Sequence, residues 1–330
     1  MNLLSRLLKS ITTYITPQKE LPYGLDHAIL NVQLPPQTMW MNMGYWEQET
    51  DLPNACRALL DQVLITAGLF DKNCDPIPGK RINLIDVGFG CGDQTLYLGS
   101  SGLVESYIGI NVVHSQVELA RRRLGQEKRD INKGAKSGQR VQLFHADAAN
   151  PLSWSPDLRL AVSDHEYASS TSTDLHVQGL QRRRPETWVL ALDTLYHFCP
   201  SRRPFLEYAC TDMQASIMGF DFVLGDSVSV WSQLLLRIIC WVTGTPFANF
   251  LTRVQYEEML VGVGYAREKI EWRDISEYVF YGIAGFIGKK DEELRQFRMG
   301  VGRFKGAQYA FNWWARSGVV RGVVFAARKS

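Results

Sequence analysis

Apolar positions along this chain alternate between two rhythms. Short, mainly apolar runs suit strands buried on both faces, and they occur at Arg81 to Val87, Tyr107-Ile108-Gly109-Ile110, Val141 to His145, Trp188 to Leu192 and within Phe220 to Val228. Between them the spacing becomes helical. Ala55, Leu59, Leu60, Val63 and Leu64 mark a helix within residues 52 to 70, which Asp75-Pro76-Ile77-Pro78-Gly79 then breaks. Gln94 to Leu98 begins a second helix, and Ser115 to Leu124 forms a third with Ser115 as its N-cap. Strands alternating with helices predict an α/β fold, a doubly wound Rossmann-like parallel sheet with ligands at the carboxyl ends of its strands. Val319 to Arg328 reads as a closing strand.

Three stretches stand apart from this rhythm. Residues 152–184 are rich in Ser, Thr, Asp and Arg (Ser169-Ser170-Thr171-Ser172-Thr173, then Arg182-Arg183-Arg184) and are expected to form a mobile surface insertion. At the N-terminus Leu3, Leu4, Leu7, Leu8, Ile11 and Ile15 recur at helical spacing, with Arg6 and Lys9 among them and Pro17 ending the run. That pattern predicts a helix packed on the domain or, alternatively, one lying on a membrane surface. No uninterrupted apolar region with a small-residue cleavage site follows, so a secretory signal is not expected. Val230 to Val242 is apolar on more than one face, yet it falls short of the ~20 residues of a membrane span, and Arg237 interrupts it. It is expected to be a lid helix over about 228–250, with membrane contact as the alternative. The division that follows is a helical cap over 1–75 and a core domain over 76–330.

Composition narrows the partners. In 330 residues, 36 Lys and Arg against 34 Asp and Glu leave a formal charge of +2, which gives no electrostatic reason to expect nucleic acid. A small-molecule substrate is the better expectation. Six cysteines at 56, 74, 91, 199, 210 and 240 form no C-x-x-C pair, and no His is spaced to complete a zinc site, so no metal is expected. They read as free thiols of a reducing compartment, hence a cytoplasmic protein or one at a membrane surface. Oligomeric state is not legible.

The chemistry begins at Leu84-Ile85-Asp86-Val87-Gly88-Phe89-Gly90-Cys91-Gly92. Glycines there let the backbone bend sharply after a strand and approach a ligand closely. A dinucleotide site wants G-x-G-x-x-G, whereas here the third glycine comes one residue early and Asp86 precedes the turn. That combination resembles motif I of class I S-adenosylmethionine-dependent methyltransferases, in their small-molecule natural-product or sterol-like branch. The resemblance implies a seven-stranded sheet with an antiparallel closing strand. It also implies S-adenosyl-L-methionine as cofactor, with Asp86, Gly88, Gly90 and Gly92 around its methionine part. Gly109-Ile110-Asn111 followed by Ser115-Gln116 is similar to the second motif, giving Asn111 and Gln116 the ribose role, although most members carry an acid at Asn111. For Gln116 a solvated helix position is the alternative. His145-Ala146-Asp147-Ala148 resembles the adenine segment and implies roles for Asp147 and Ala148, against a turn cap at Asp147. Ala191-Leu192-Asp193-Thr194 resembles the motif lining the methionine end, through Asp193. Upstream, Met39-Trp40-Met41-Asn42-Met43-Gly44-Tyr45-Trp46 resembles an aromatic segment that closes over the cofactor. Tyr45 is expected near the sulfonium, with core packing as the alternative.

Methyl transfer is an in-line displacement, so the enzyme aligns the acceptor and, where necessary, takes its proton. His197 in Leu195-Tyr196-His197-Phe198 stands where sugar O-methyltransferases of natural-product pathways, which the segment resembles, carry a catalytic His. Asp226 is expected to orient it. Aromatics at 278–286 and 311–314 favour a hydrophobic acceptor, if they are not simply core. The expected activity is O-methylation of a hydrophobic natural-product hydroxyl with His197 as base. N- or C-methylation of an amine, sterol or lipid, a non-catalytic cofactor-binding protein and a nicotinamide dehydrogenase are the alternatives.

Overall fold

The computed structural model describes Leu25 and residues 32–131, 140–167 and 185–329. In chain order the described elements are α1 (Leu52–Thr66), β1 (Ile82–Val87), α2 (Asp93–Ser100), β2 (Val104–Asn111), α3 (His114–Ile131) and β3 (Arg140–His145). They continue with α4 (Pro156–Tyr167), β4 (Glu186–Leu192), α5 (Arg203–Thr211), β5 (Ser216–Leu224), α6 (Val230–Thr243) and α7 (Arg253–Gly262). Last come β6 (Ile270–Asp274), α8 (Phe280–Arg295), α9 (Phe304–Ser317) and β7 (Val320–Ala327). The seven strands form one sheet in the order β3-β2-β1-β4-β5-β7-β6. Strands β1 to β5 run parallel, and β7 lies antiparallel between β5 and β6. Strand order reverses between β1 and β4, which opens a crevice at their carboxyl ends.

Two apolar layers hold the helices to the sheet. Leu84 and Leu190 face α1, α2, α3, α8 and α9, where Leu60, Leu98, Val117, Phe280 and Trp314 meet them. Ile85, Val87 and Val189 face α4, α5 and α7, through Leu158, Phe205 and Leu260. Burial on both sides explains why β1 is apolar apart from Asn83 and Asp86.

The structure departs from the pattern in three places. Strand β6 was not located by the apolar pattern, because this edge strand alternates charged and half-buried residues (Ile-Glu-Trp-Arg-Asp) and shows no apolar run. The supposed mobile insertion begins as α4, whose Leu158 and Val162 enter the core; residues 168–184 lie outside the described residues, as does the N-terminal run. Helix α1, Leu52–Thr66, falls within the expected window of 52 to 70, and its inner face is core. Helix α3 begins at His114, so Ser115 is not its N-cap; Asn111 Oδ1 accepts from the Val113 N–H just ahead of it.

Candidate functional site

The glycine turn forms because β1 ends against β2, with the Gly88 N–H donating to the Ile110 carbonyl at 2.8 Å. Gly88, Gly90 and Gly92 all lie in the left-handed region, at φ of 80°, 62° and 92°. A Cβ on Gly88 would sit 2.6 Å from Thr194 Oγ1, whereas one on Gly90 would meet nothing closer than Met41 Sδ at 3.7 Å. The turn is therefore packed at its first glycine and open at its second.

Asp86 lies fully buried beneath this turn. Gln94 Nε2 donates to its two oxygens at 2.8 and 2.7 Å, and the Tyr107 hydroxyl donates to Oδ2. Burial raises its pKa to about 7 against the pull of those two donors. Its oxygens are thus engaged from within the protein, and they shape the turn and its potential.

Residues 37–43 strap the turn from outside. Arg123, on α3, grips Asp93 with both guanidinium ends, at 2.6 and 2.7 Å, and also donates to the carbonyls of Cys91 and Gln37. The Met39 N–H donates to Asp93 at 3.1 Å, and Met41 Sδ lies 3.8 Å from Cys91 Sγ. The Met41 side chain faces the turn, its sulfur 3.7 Å from where a Cβ on Gly90 would lie. Tyr45 is core: its hydroxyl donates to Glu47 and its ring packs on Tyr278 at 5.0 Å. Trp46 packs on Phe286, over Gly282. The expectation that Tyr45 presents its face to a ligand gives way to the alternative of core packing, because the ring is buried in the core cluster.

Asn111 and Gln116 meet, as the sequence suggested. Asn111 Nδ2 donates to Gln116 Oε1 at 2.8 Å and to the Gly90 carbonyl at 3.2 Å, tying β2 to the turn. Beyond β3, Asp147 is exposed and Oδ1 accepts from the Ala149 N–H, so this residue does cap a turn; Ala148 is buried beside it.

At the end of β4, Asp193 holds a left-handed φ of 60°. Its Oδ1 is cut off from solvent and has no partner among the described residues. Burial raises the pKa to about 7, opposed by the Tyr196 hydroxyl and the Met43 N–H. An acid whose folded pKa exceeds its unfolded value holds its proton more tightly when folded. Stability should therefore fall as pH climbs from near 3.8 to about 7, by a few kcal/mol per group at about 1.4 kcal/mol per pH unit. The melting temperature is expected to be higher at pH 6 than at pH 8, with a shallower slope in Asp193→Asn. A slope unchanged by that substitution would show that Asp193 titrates normally.

His197 ends a short helical turn, Leu195–His197, with its ring 4.2 Å from that of Tyr196. It is exposed at the rim, yet crowding by surrounding atoms lowers its pKa below the usual 6.5. Asp226 is exposed beyond β5, and no hydrogen bond or ion pair joins it to His197. The expected orienting contact is not made, because Asp226 lies in the solvated loop leading to α6.

A buried network positions this rim instead. Arg202 and Asp221 form a fully buried ion pair. The Arg202 guanidinium also donates to the Asn249 carbonyl and lies 4.4 Å over the Tyr256 ring, while the Tyr256 hydroxyl donates to Asp221 at 2.8 Å. Asn249 Nδ2 then donates to the carbonyls of Tyr196 and Phe198, at 3.1 and 2.7 Å, clamping the turn that carries His197. The sequence reading missed these residues. The available signal was Asp221 itself, a charge inside the apolar strand Ser-Ile-Met-Gly-Phe-Asp-Phe-Val-Leu, which needs a buried partner.

No protein-family model matches the chain, and no curated protein matches it in sequence. Solved structures do match in shape. A mycolic acid cyclopropane synthase solved with S-adenosylhomocysteine and CTAB superposes with a TM-score of 0.58 at 12% identity, over 92% of this chain and 95% of that one. A putative sarcosine dimethylglycine methyltransferase from Galdieria sulphuraria gives 0.56 at 11%, over 88% and 93%. A (4+2)-cyclase gives 0.53 at 16%, over 88% of each chain. The likeness is one of fold: this chain has the seven-stranded, Rossmann-like architecture of class I methyltransferases.

Proposed function

We propose that this chain transfers a methyl group from S-adenosyl-L-methionine to a hydrophobic small molecule, and that the acceptor is a hydroxyl deprotonated by His197. The observation that carries the reading is a pair of features at the switch point: a glycine turn open at Gly90, and a buried carboxylate oxygen, Asp193 Oδ1, that has no donor. A ligand carrying positive charge and hydrogen-bond donors satisfies that oxygen. When bound, the cofactor supplies a methyl group activated on a sulfonium. Gly88, Gly90 and Gly92 admit its methionine part, with Asp86 supplying negative potential through the turn and Asp193 accepting from it. Asn111 and Gln116 hold the ribose hydroxyls, and the second oxygen of Asp147 takes the adenine amino group above Ala148.

The lowered pKa keeps His197 neutral at pH 7, the state that accepts a proton. His197→Ala is expected to lose about 10²–10⁴-fold in kcat while binding S-adenosylhomocysteine as before. Little loss on an acceptor found by labelling would reject His197 as base. A second reading, methylation at carbon or nitrogen, is favoured by the ring row running from Tyr196 through Phe222 to Phe250, Phe280 and Trp314, since aromatic faces steady a developing cation.

A further inference from the structure

Helix α6 is apolar on both sides. Leu236 and Cys240 anchor its inner face in the core. On the other side Val230, Trp231, Leu234, Ile238, Trp241 and Val242 are all exposed, the two indoles at 80% and 84%. At about 100° per residue these six occupy one sector about 120° wide, opposite the buried pair. Two indoles so exposed present on the order of 300–400 Å² between them, which with their neighbours exceeds the usual largest patch of a soluble monomer. No helix among the described residues is long and apolar enough to cross a membrane.

We infer that this outward stripe is a docking surface for a lipid bilayer, seated in the interfacial layer parallel to the membrane plane. Charge is the first argument. Residues 227–252 contain a single charged side chain, Arg237, and no acid, so nothing there opposes entry into an apolar medium or repels anionic headgroups. Arg237 rests on the Phe247 ring at 4.7 Å, at the edge of the stripe, where its head group can reach phosphate. Residue type is the second. Trp231 and Trp241 stand near the two ends of the helix with aliphatic residues between them, and indoles prefer the headgroup boundary. Pre-organisation is the third: the helix is already capped, by Ser229 at its start and Gly244 at its end, and fixed to the core, so docking requires no folding step. Helix α6 also follows β5 directly, at the carboxyl ends of the strands where the crevice opens, which would bring that crevice to the membrane surface.

Flotation of the full chain with vesicles of phosphatidylcholine alone, and of phosphatidylcholine mixed with phosphatidylglycerol, tests this. Binding to both is expected, and it should persist in about 1 M salt, where the Debye length is only about 3 Å, because apolar insertion supplies most of the affinity. Trp231→Ser/Trp241→Ser and, separately, Ile238→Glu should each weaken binding about tenfold or more with unchanged melting temperature, since these side chains are exposed. Quenching of tryptophan fluorescence by brominated lipid should fall in the double variant. Three outcomes overturn the proposal: no flotation, flotation undiminished in both variants, or a wild-type dimer in sedimentation that the variants split, which assigns the stripe to a second copy.

Discussion

Asp221→Ala is expected to cost about 3–5 kcal/mol in urea unfolding, the largest stability loss of any single substitution considered, because it leaves the Arg202 guanidinium buried without its counter-charge. Ordinary truncation of a side chain this small costs far less. Arg202 Nε already lacks a partner, so the remaining hydrogen bonds carry no reserve. Replacing both charges, Arg202→Met/Asp221→Leu, should recover most of the loss, since apolar groups of similar volume avoid the desolvation penalty. That double variant separates two roles. If the network serves to hold the His197 turn through Asn249, the recovered protein should still show depressed turnover and a displaced acid limb in its pH profile. A single variant within about 1 kcal/mol of the parent would show that water reaches the pair and that the clamp is weak.

How much of this was legible depends on how local each cause is. Strands β1, β2, β4 and β5 announced themselves because most of their residues are buried and apolar. Strand β6 did not, because it lies at the sheet edge with Glu271 and Arg273 in solvent, and a periodicity of two over five residues is easily lost among turns. Helix α4 was hidden by its own polarity, since Ser163, Asp164 and His165 match the polar composition of the residues after it.

The site divides in the same way. The glycine turn is a local device, fixed by three φ values within five residues, and its spacing was enough to find it. Contacts joining distant segments left no mark. The Met39 N–H reaches Asp93 across 54 positions, and Arg202 meets Asn249 across 47. Tyr45 drew attention because aromatic residues near a glycine turn suggest a cation site, but it lies beyond the strap and is buried in the core. The strap meets the turn through the Met39 N–H and the Met41 sulfur. Asp226 was judged by sequence distance from a strand end, which does not say where a loop turns.

Gly88→Ala is expected to reduce affinity for S-adenosylhomocysteine by about a hundredfold or more in titration calorimetry. Two costs combine. A φ of 80° costs an L side chain about 1–2 kcal/mol, and the new Cβ would lie 2.6 Å from Thr194 Oγ1 and 2.9 Å from its Cβ, on the residue next to Asp193. Relief by moving Thr194 shifts the Asp193 carboxylate with it, so the strain is transferred to the group proposed to accept from the cofactor. Gly79→Ala and Gly102→Ala are the controls, for both have φ near 75° and open space around the absent Cβ. They should lose about 1 kcal/mol of stability and leave binding unchanged. Gly88→Ala/Thr194→Gly removes the collision but not the backbone cost, and should restore part of the affinity. Full binding by Gly88→Ala would mean that the turn does not touch the cofactor, and the proposed site would have to move elsewhere along the strand ends.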